Sequence, residues 1–370
     1  MTAQILMLDQ LKYYVSLGWS VHLVTDVSSG NLGLPNNSQI DVLCVPMRRD
    51  ISPLKDCKAF VLWLVALRTA KPDVVIVGTP KAALLGLVAA KFLNIRFRVY
   101  HCRGLRFESL NGWKRRIAYA AEWLTCRSST SCIANSYSLR DELVKTGLMQ
   151  RDRIYVLGNG SSNGVNTNRF HPPSRAERTH ARSELGIVNG DFVIGFVGRI
   201  HEDKGLKYLF EAVRHLRLAG HPVKLLVVGD SDYAPRNMDS FTSFNDSDWF
   251  VHVPFTGPEE LYWAMDVFCL PSLREGFPNV VLEAGAAGLP VVTTLSTGCR
   301  DSVIHLQTGL LVDTGDSQAI AEALRWLLMH PDQTTAMGKE NRRWVSENFD
   351  QLAVWKAHQL HLESLVSSRC

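Results

Sequence analysis

The stretch that most limits the fold runs from Val267 to Val292. Val267-Phe-Cys-Leu270 is short, apolar and unbroken, as a strand buried on both faces must be. Pro271 and Ser272 end it, and Glu275-Gly276 form a turn. Pro278 suits the first turn of a helix, where a missing N–H costs nothing. That helix places Val281, Leu282, Ala284 and Ala287 and stops near Gly288-Leu289-Pro290. Val291-Val292 open the next strand. The result is a strand–loop–helix–strand unit, the building block of a parallel sheet covered by helices.

The unit also carries chemistry. At the helix start the N–H groups of Phe277, Asn279 and Val280 form a donor cluster that, with the helix dipole, attracts an anion. Two carboxylates flank it, Glu275 in the loop and Glu283 in the helix, with seven residues between them. A nucleotide-sugar uses both features: N–H groups meet phosphate, and carboxylates accept bonds from hydroxyls. An ordinary crossover with two solvated Glu is the alternative on local chemistry.

The rest of the chain repeats this alternation. Residues 3–17 read as a helix, 21–25 and 40–45 as strands and 55–69 as a helix. Strands at 73–78, 96–101, 131–135 and 153–157 alternate with helices at 81–93, 112–126 and 138–147. The polar, Pro-containing run 166–182 reads as a linker. A second alternating region follows, with strands at 191–197, 223–228, 267–270 and 310–312, helices at 205–219 and 316–330, and a helical tail over 332–368. Two doubly wound α/β halves are therefore expected, with ligands at the carboxyl ends of their strands. An α/β domain opens with a strand, and this chain opens with a helix. The first domain is thus expected to lack its first strand, and the natural chain to carry roughly 10–20 further residues, one strand and its loop.

A chain of 370 residues, 46% hydrophobic, suits two globular cores. Its eight cysteines include no Cys-x-x-Cys pair and read as reduced core residues of a cytosolic protein. No secretory signal is visible, and the most apolar runs are too short to span a bilayer. The net charge of +4 conceals an asymmetry. Residues 1–170 carry 22 Lys and Arg against 11 Asp and Glu, whereas residues 171–370 carry 18 against 25. An anionic surface partner on the first half fits that division.

Further motifs sit at strand ends. Gly198-Arg-Ile-His-Glu-Asp-Lys-Gly205 follows a strand and opens a helix, so Arg199 and Lys204 can reach one anion. His101 ends a strand in the first half, beside Arg103 and Arg106. With Lys114, Arg115, Arg116, Phe107 and Trp113 these make a basic-aromatic cluster for phosphate or a membrane surface, or simply a solvated helix face. The Asp-Ser-Asp triplets at 230–232 and 246–248 read as polar turns rather than a metal site. Gly158-Asn-Gly160 lies in linker context and is no dinucleotide fingerprint.

Together, Gly198-Arg199 with Lys204-Gly205, Val228-Gly-Asp230, Asp266-Val-Phe-Cys-Leu-Pro-Ser272 and the Glu275/Glu283 pair resemble the retaining GT-B glycosyltransferases of family 4. Tyr100-His-Cys-Arg-Gly-Leu-Arg106 and Gly158-Asn-Gly-Ser-Ser-Asn-Gly-Val165 are similar to the bacterial branch that extends polyprenyl-diphosphate-linked glycans for capsule, O-antigen or protein glycosylation. The resemblance implies a GT-B fold, two Rossmann-like domains facing across a cleft. It places an acceptor-side domain at 1–168, a nucleotide-sugar domain at 169–345, and a helix at 346–370 returning toward the first. It implies transfer of a hexose, best taken as an N-acetylhexosamine from a UDP-sugar, without metal or cofactor. Gly198, Arg199 and Lys204 would hold the donor diphosphate. Glu275 would bind donor-sugar hydroxyls beside Gly276, Phe277, Pro278, Asn279 and Val280, and Glu283 the ribose. His101 would face the donor sugar, with Arg103, Arg106, Lys114, Arg115 and Arg116 on the acceptor or membrane side. The implied partners are the donor, a lipid-linked glycan and an anionic membrane at the inner face of the plasma membrane, not nucleic acid. A GT-B-shaped nucleotide-sugar epimerase and a truncated, inactive donor-binding remnant are the competing readings.

Overall fold

The computed structural model describes residues 7–26, 39–47, 52–188, 190–230, 248–255, 257 and 259–367. The chain forms two compact units, Met1–Asn163 with Leu352–Cys370, and Gly164–Gln351. The boundaries thus lie at 163/164 and 351/352, a few residues from the 168 and 345 read in the sequence. The last helix, Gln351–Ser367, belongs with the first unit.

In the first unit a helix, Leu8–Ser16, precedes β1 (Val21–Thr25) and β2 (Ile40–Cys44). Helix Pro53–Ala70 leads to β3 (Val74–Val77), helix Pro80–Phe92 to β4 (Phe97–Cys102), and helix Gly112–Ser128 to β5 (Ser131–Ala134). Helix Tyr137–Lys145 precedes the short β6 (Ile154–Tyr155). The strands make two parallel sheets rather than one: β1 pairs with β2, and β3-β4-β5-β6 form a separate sheet. Among the described residues no ladder joins the two. The core gathers Leu87, Tyr100, Cys102, Cys132, Leu139 and Leu143, all at most 1% exposed. Each of the three leucines contributes roughly 1.5–3 kcal/mol relative to exposure.

The second unit holds one six-stranded parallel sheet. Its strands are β7 (Phe192–Val197), β8 (Val223–Val228), β9 (Phe250–Val253), β10 (Val267–Leu270), β11 (Val291–Thr294) and β12 (Gly309–Val312). Their spatial order is β12-β11-β10-β7-β8-β9. The order reverses between β7 and β10. At such a switch point the loops leaving adjacent strands diverge and open a crevice for a ligand. β8 and β10 are apolar nearly throughout because helices cover both faces of the sheet.

Four parts of the second half depart from the sequence reading. The polar run 166–182, a linker by its composition, instead leads into a helix, Arg175–Glu184, started by a capping box. Ser174 Oγ accepts from the Glu177 N–H at 3.3 Å, and Glu177 accepts from the Ser174 N–H at 2.7 Å. Its inner face is built from arginines: Arg178 and Arg182 clamp Asp266 at 2.6 and 2.5 Å, and Arg182 also donates to the Ala264 carbonyl. β9 and the short helix Glu259–Trp263 also lie where no element was read. The tail is two helices, Pro331–Asn348 and Gln351–Ser367. At the break, the Val165 N–H donates to the Phe349 carbonyl at 2.9 Å, and the Gln351 N–H donates to the Val165 carbonyl at 3.1 Å.

Candidate active site

The switch point of the second unit gathers most of the donor-side residues expected from the sequence. Gly198 and the exposed Arg199 directly follow β7. A 3-10 turn, Glu202–Lys204, then leads through Gly205 into helix Leu206–Leu218. Gly205 has φ +65°, and a Cβ there would sit 2.1 Å from the Pro271 carbonyl oxygen. Only glycine lets the loop after β7 close against the loop after β10 at this point.

Side chains complete that closure. Arg274 donates to Asp203 at 2.6 Å, and the Leu273 N–H donates to the Asp203 carbonyl at 2.8 Å. The Lys204 ammonium forms a short ion pair with Glu275 Oε1, and both side chains are less than one-fifth exposed. The buried Ser272 donates to the same Oε1 at 3.0 Å. The Glu275 N–H donates to the Thr297 carbonyl at 2.9 Å, which ties in the loop after β11. Gly298 in that loop has φ +78°, and its missing Cβ would fall 2.6 Å from the Gly276 carbonyl oxygen. Three strand-end loops thus converge on one partly buried Lys–Glu pair.

Helix Asn279–Ala286 begins directly after this loop, with Pro278 at its N-cap and no side chain capping it. Phe277 and Pro278 are buried and anchor the turn, while Asn279 and Val280 remain partly exposed. The helix carries the half-buried Glu283, which accepts from the Tyr262 hydroxyl at 2.8 Å. Burial pushes the Glu283 carboxyl above its ordinary pKa, while the Tyr262 bond and the Arg169 charge act the other way. Tyr262, Ser272, Thr297 and Gly298 were not singled out as site residues. The rule that ligands gather at strand ends indicates Ser272, which follows β10, and Thr297 and Gly298, which follow β11.

The first-unit residues divide into two groups. His101 is the penultimate residue of β4, is 4% exposed, and donates from Nε2 to Asn135 Oδ1 at 2.9 Å. The Arg103 guanidinium sits beside it, with its Nε sealed from solvent. Arg106, Lys114, Arg115 and Arg116 are all exposed. They accompany Trp113, Ile117, Trp123 and Leu124 on helix Gly112–Ser128 and the turn before it, and these four large side chains are 42–67% exposed. Phe107, read as part of the basic-aromatic surface, is 2% exposed and packs edge-on against Tyr119 in the core. Of the two Asp-Ser-Asp triplets, residues 231–232 and 246–247 lie outside the described residues. No described helix is long and apolar enough to cross a membrane.

Two parallel α/β units, the second doubly wound with a cation–carboxylate pair and a helix start at its switch point, have the architecture of GT-B glycosyltransferases. Comparison with known proteins agrees. Residues 177–344 match the model described as glycosyl transferases group 1, and residues 4–160 match the glycosyl transferase 4-like domain. The chain is 33% identical to the capsular polysaccharide biosynthesis glycosyltransferase CapM of Staphylococcus aureus, over 98% of this chain and 93% of that protein. It belongs to this glycosyltransferase family. It is also 27% identical to the Escherichia coli UDP-Gal:alpha-D-GlcNAc-diphosphoundecaprenol alpha-1,3-galactosyltransferase, over 75% of this chain and 71% of that one. The crystal structure of Anabaena HepE in complex with UDP and glucose shares the fold, with a TM-score of 0.73 at 23% identity, covering 88% of this chain and 86% of that one.

Proposed function

We propose that this glycosyltransferase moves a hexosyl group, an N-acetylhexosamine by preference, from a UDP-sugar to a polyprenyl-diphosphate-linked glycan. The setting is bacterial surface-polysaccharide assembly of the capsule type, at the inner face of the plasma membrane. The observation that carries the donor half is the Lys204–Glu275 pair at the switch point. A diphosphate arriving there takes the ammonium from the carboxylate, and the freed Glu275 accepts bonds from sugar hydroxyls. Arg199 and the N–H groups at the start of helix Asn279–Ala286 add positive potential for the departing UDP. Glu283, steadied by Tyr262, meets the ribose. The acceptor half is supported by the full-length likeness to CapM and by the acceptor in the name of the E. coli relative.

Transfer proceeds with retention, and no protein nucleophile is assigned. The rate comes from positioning and from cations organised in advance around the leaving diphosphate. Arg199 and Lys204 supply the countercharge that a metal gives other transferases. Exposed Arg106, Lys114, Arg115, Arg116 and Trp113 bring the first unit to an anionic membrane surface.

A panel of UDP-sugars with lipid-linked acceptors tests the reading. The expected product is a glycan longer by one sugar, with the donor's anomeric configuration and unchanged yield in EDTA. Glu275→Ala should abolish it in a folded protein. Release of UDP with an epimerised sugar and no need for acceptor would identify an epimerase instead.

A further inference from the structure

A chain of buried hydroxyls joins the end of β11 to the loop after β10, and the donor chemistry described above does not use it. Thr293 Oγ1 donates to the Leu270 carbonyl at 2.8 Å. Thr294 Oγ1 donates to the Ser272 carbonyl at 2.6 Å, and Ser296 Oγ donates to the same carbonyl at 3.0 Å. The hydroxyls of Thr294 and Ser296 lie 2.8 Å apart. Each carries one proton, so the Ser272 carbonyl stays bonded whichever way the two are turned. Thr293, Thr294 and Ser272 are fully buried, and Ser296 is 8% exposed. Water cannot replace these bonds cheaply, and the backbone at Ser272 is fixed.

That anchored backbone aims the Ser272 side chain. Its Oγ donates to Glu275 Oε1 at 3.0 Å. The Lys204 ammonium pairs with the same oxygen, so both donors hold one side of the carboxylate. Among the described residues no donor bonds the other oxygen, Oε2, and it is not sealed from solvent. The two bonds respond differently to a diphosphate. An anion competes for the ammonium of Lys204, but it has no comparable hold on a neutral hydroxyl fixed from behind. Once Lys204 turns away, Ser272 is the remaining group on Oε1. A carboxylate without a partner samples a broad terminal torsion, whereas one tied at Oε1 presents Oε2 in a single direction.

We propose that Ser272 is a positioning residue for the donor sugar: it keeps Glu275 Oε1 occupied when Lys204 moves to the diphosphate, so that Oε2 alone meets one sugar hydroxyl. This role rests on Glu275 meeting the sugar, as proposed above, whereas the hydroxyl chain itself does not depend on that reading. Ser272 touches neither sugar nor phosphate and acts only through the carboxylate. Thr294 and Ser296 act one step further back, by holding the Ser272 backbone. Offering one oxygen rather than two makes the site selective for a sugar with a hydroxyl at that one place.

The test is calorimetric titration of the full-length protein with UDP and with UDP-N-acetylglucosamine, UDP-N-acetylgalactosamine, UDP-glucose and UDP-galactose. The quantity read is the Kd of the UDP-sugar that wild type binds most tightly, relative to the Kd of UDP in the same protein. Ser272→Ala should raise that ratio about tenfold, the equivalent of one hydrogen bond to a charged group, and leave the Kd of UDP unchanged. Glu275→Ala should raise the ratio at least as far, and Ser272→Ala/Glu275→Ala should raise it no further than Glu275→Ala alone. An unchanged ratio in Ser272→Ala beside a raised one in Glu275→Ala overturns the role of Ser272 and leaves Glu275 in place. Equal weakening of UDP and UDP-sugar in Ser272→Ala, or a further loss in the double variant, makes the serine merely structural. An unchanged ratio in Glu275→Ala, or a wild type that binds none of the four UDP-sugars, overturns the donor reading itself and the proposal with it.

Discussion

Replacing Lys204 with methionine removes the ammonium that pairs with Glu275 while keeping most of the side chain's length. Two effects of different size follow. The pair is 18% and 15% exposed. It therefore lies between a surface ion pair, at roughly 0.2–1 kcal/mol, and a fully buried one, whose breakage costs roughly 3–5 kcal/mol. Unfolding in denaturant should show a loss of about 1–3 kcal/mol, as a lower midpoint at unchanged slope. The leaving diphosphate loses a preorganised charge. That costs about 100–1,000-fold in turnover at saturating donor, or roughly 3–4 kcal/mol of barrier. The double variant Lys204→Met/Glu275→Gln isolates the first effect: it leaves no unpaired carboxylate, so stability should return toward wild type. Wild-type turnover in a folded Lys204→Met protein would refute the reasoning and put the diphosphate elsewhere.

Asp266→Asn should cost on the order of 3 kcal/mol, because it strands Arg178 and Arg182 against the carbonyls they also bind; calorimetry of the full chain reads this. Glu122 is 6% exposed, and burial pushes its carboxyl up to about 7 despite a bond with Tyr100. The unfolded chain loses that proton at lower pH than the folded one, so the group's cost is absent below its ordinary value, grows as pH rises toward 7 and is complete above it. Denaturation across pH 4–8 should therefore flatten in Glu122→Gln, by up to about 3 kcal/mol. Flotation with anionic vesicles should be lost at high salt and on neutralising Arg106, Lys114, Arg115 and Arg116 together, at about 1 kcal/mol per residue, and kept in Arg103→Gln. Equal binding to neutral vesicles would contradict that surface.

Much of the second unit was legible because its chemistry is local. β10, the turn at Glu275 and helix Asn279–Ala286 follow from an apolar run, two punctuating prolines and a helix start within one short stretch. Helix Arg175–Glu184 escaped because its inward face is arginine, so no apolar period marks it, although Ser174 and Glu177 spell out a capping box. The break between the last two helices carries neither Gly nor Pro. It is set by pairing with Val165, distant in sequence. Arg103 and Lys114 looked equivalent as neighbours in a basic run, and only the fold shows that one is turned inward and the other outward.

The sequence order of the units bears on how the chain is made. The second unit is one continuous segment, whereas the first requires residues from both ends of the chain. Leu362 on helix Gln351–Ser367 closes over Val99 and Ile133, and all three are at most 3% exposed. During synthesis those two strand residues therefore emerge long before their cover exists. The second unit has all its residues by Gln351 and can fold early, while the first waits for the segment that follows. A premature stop near residue 351 would spare the donor-side loops and cripple the opposite unit, exposing an apolar sheet face.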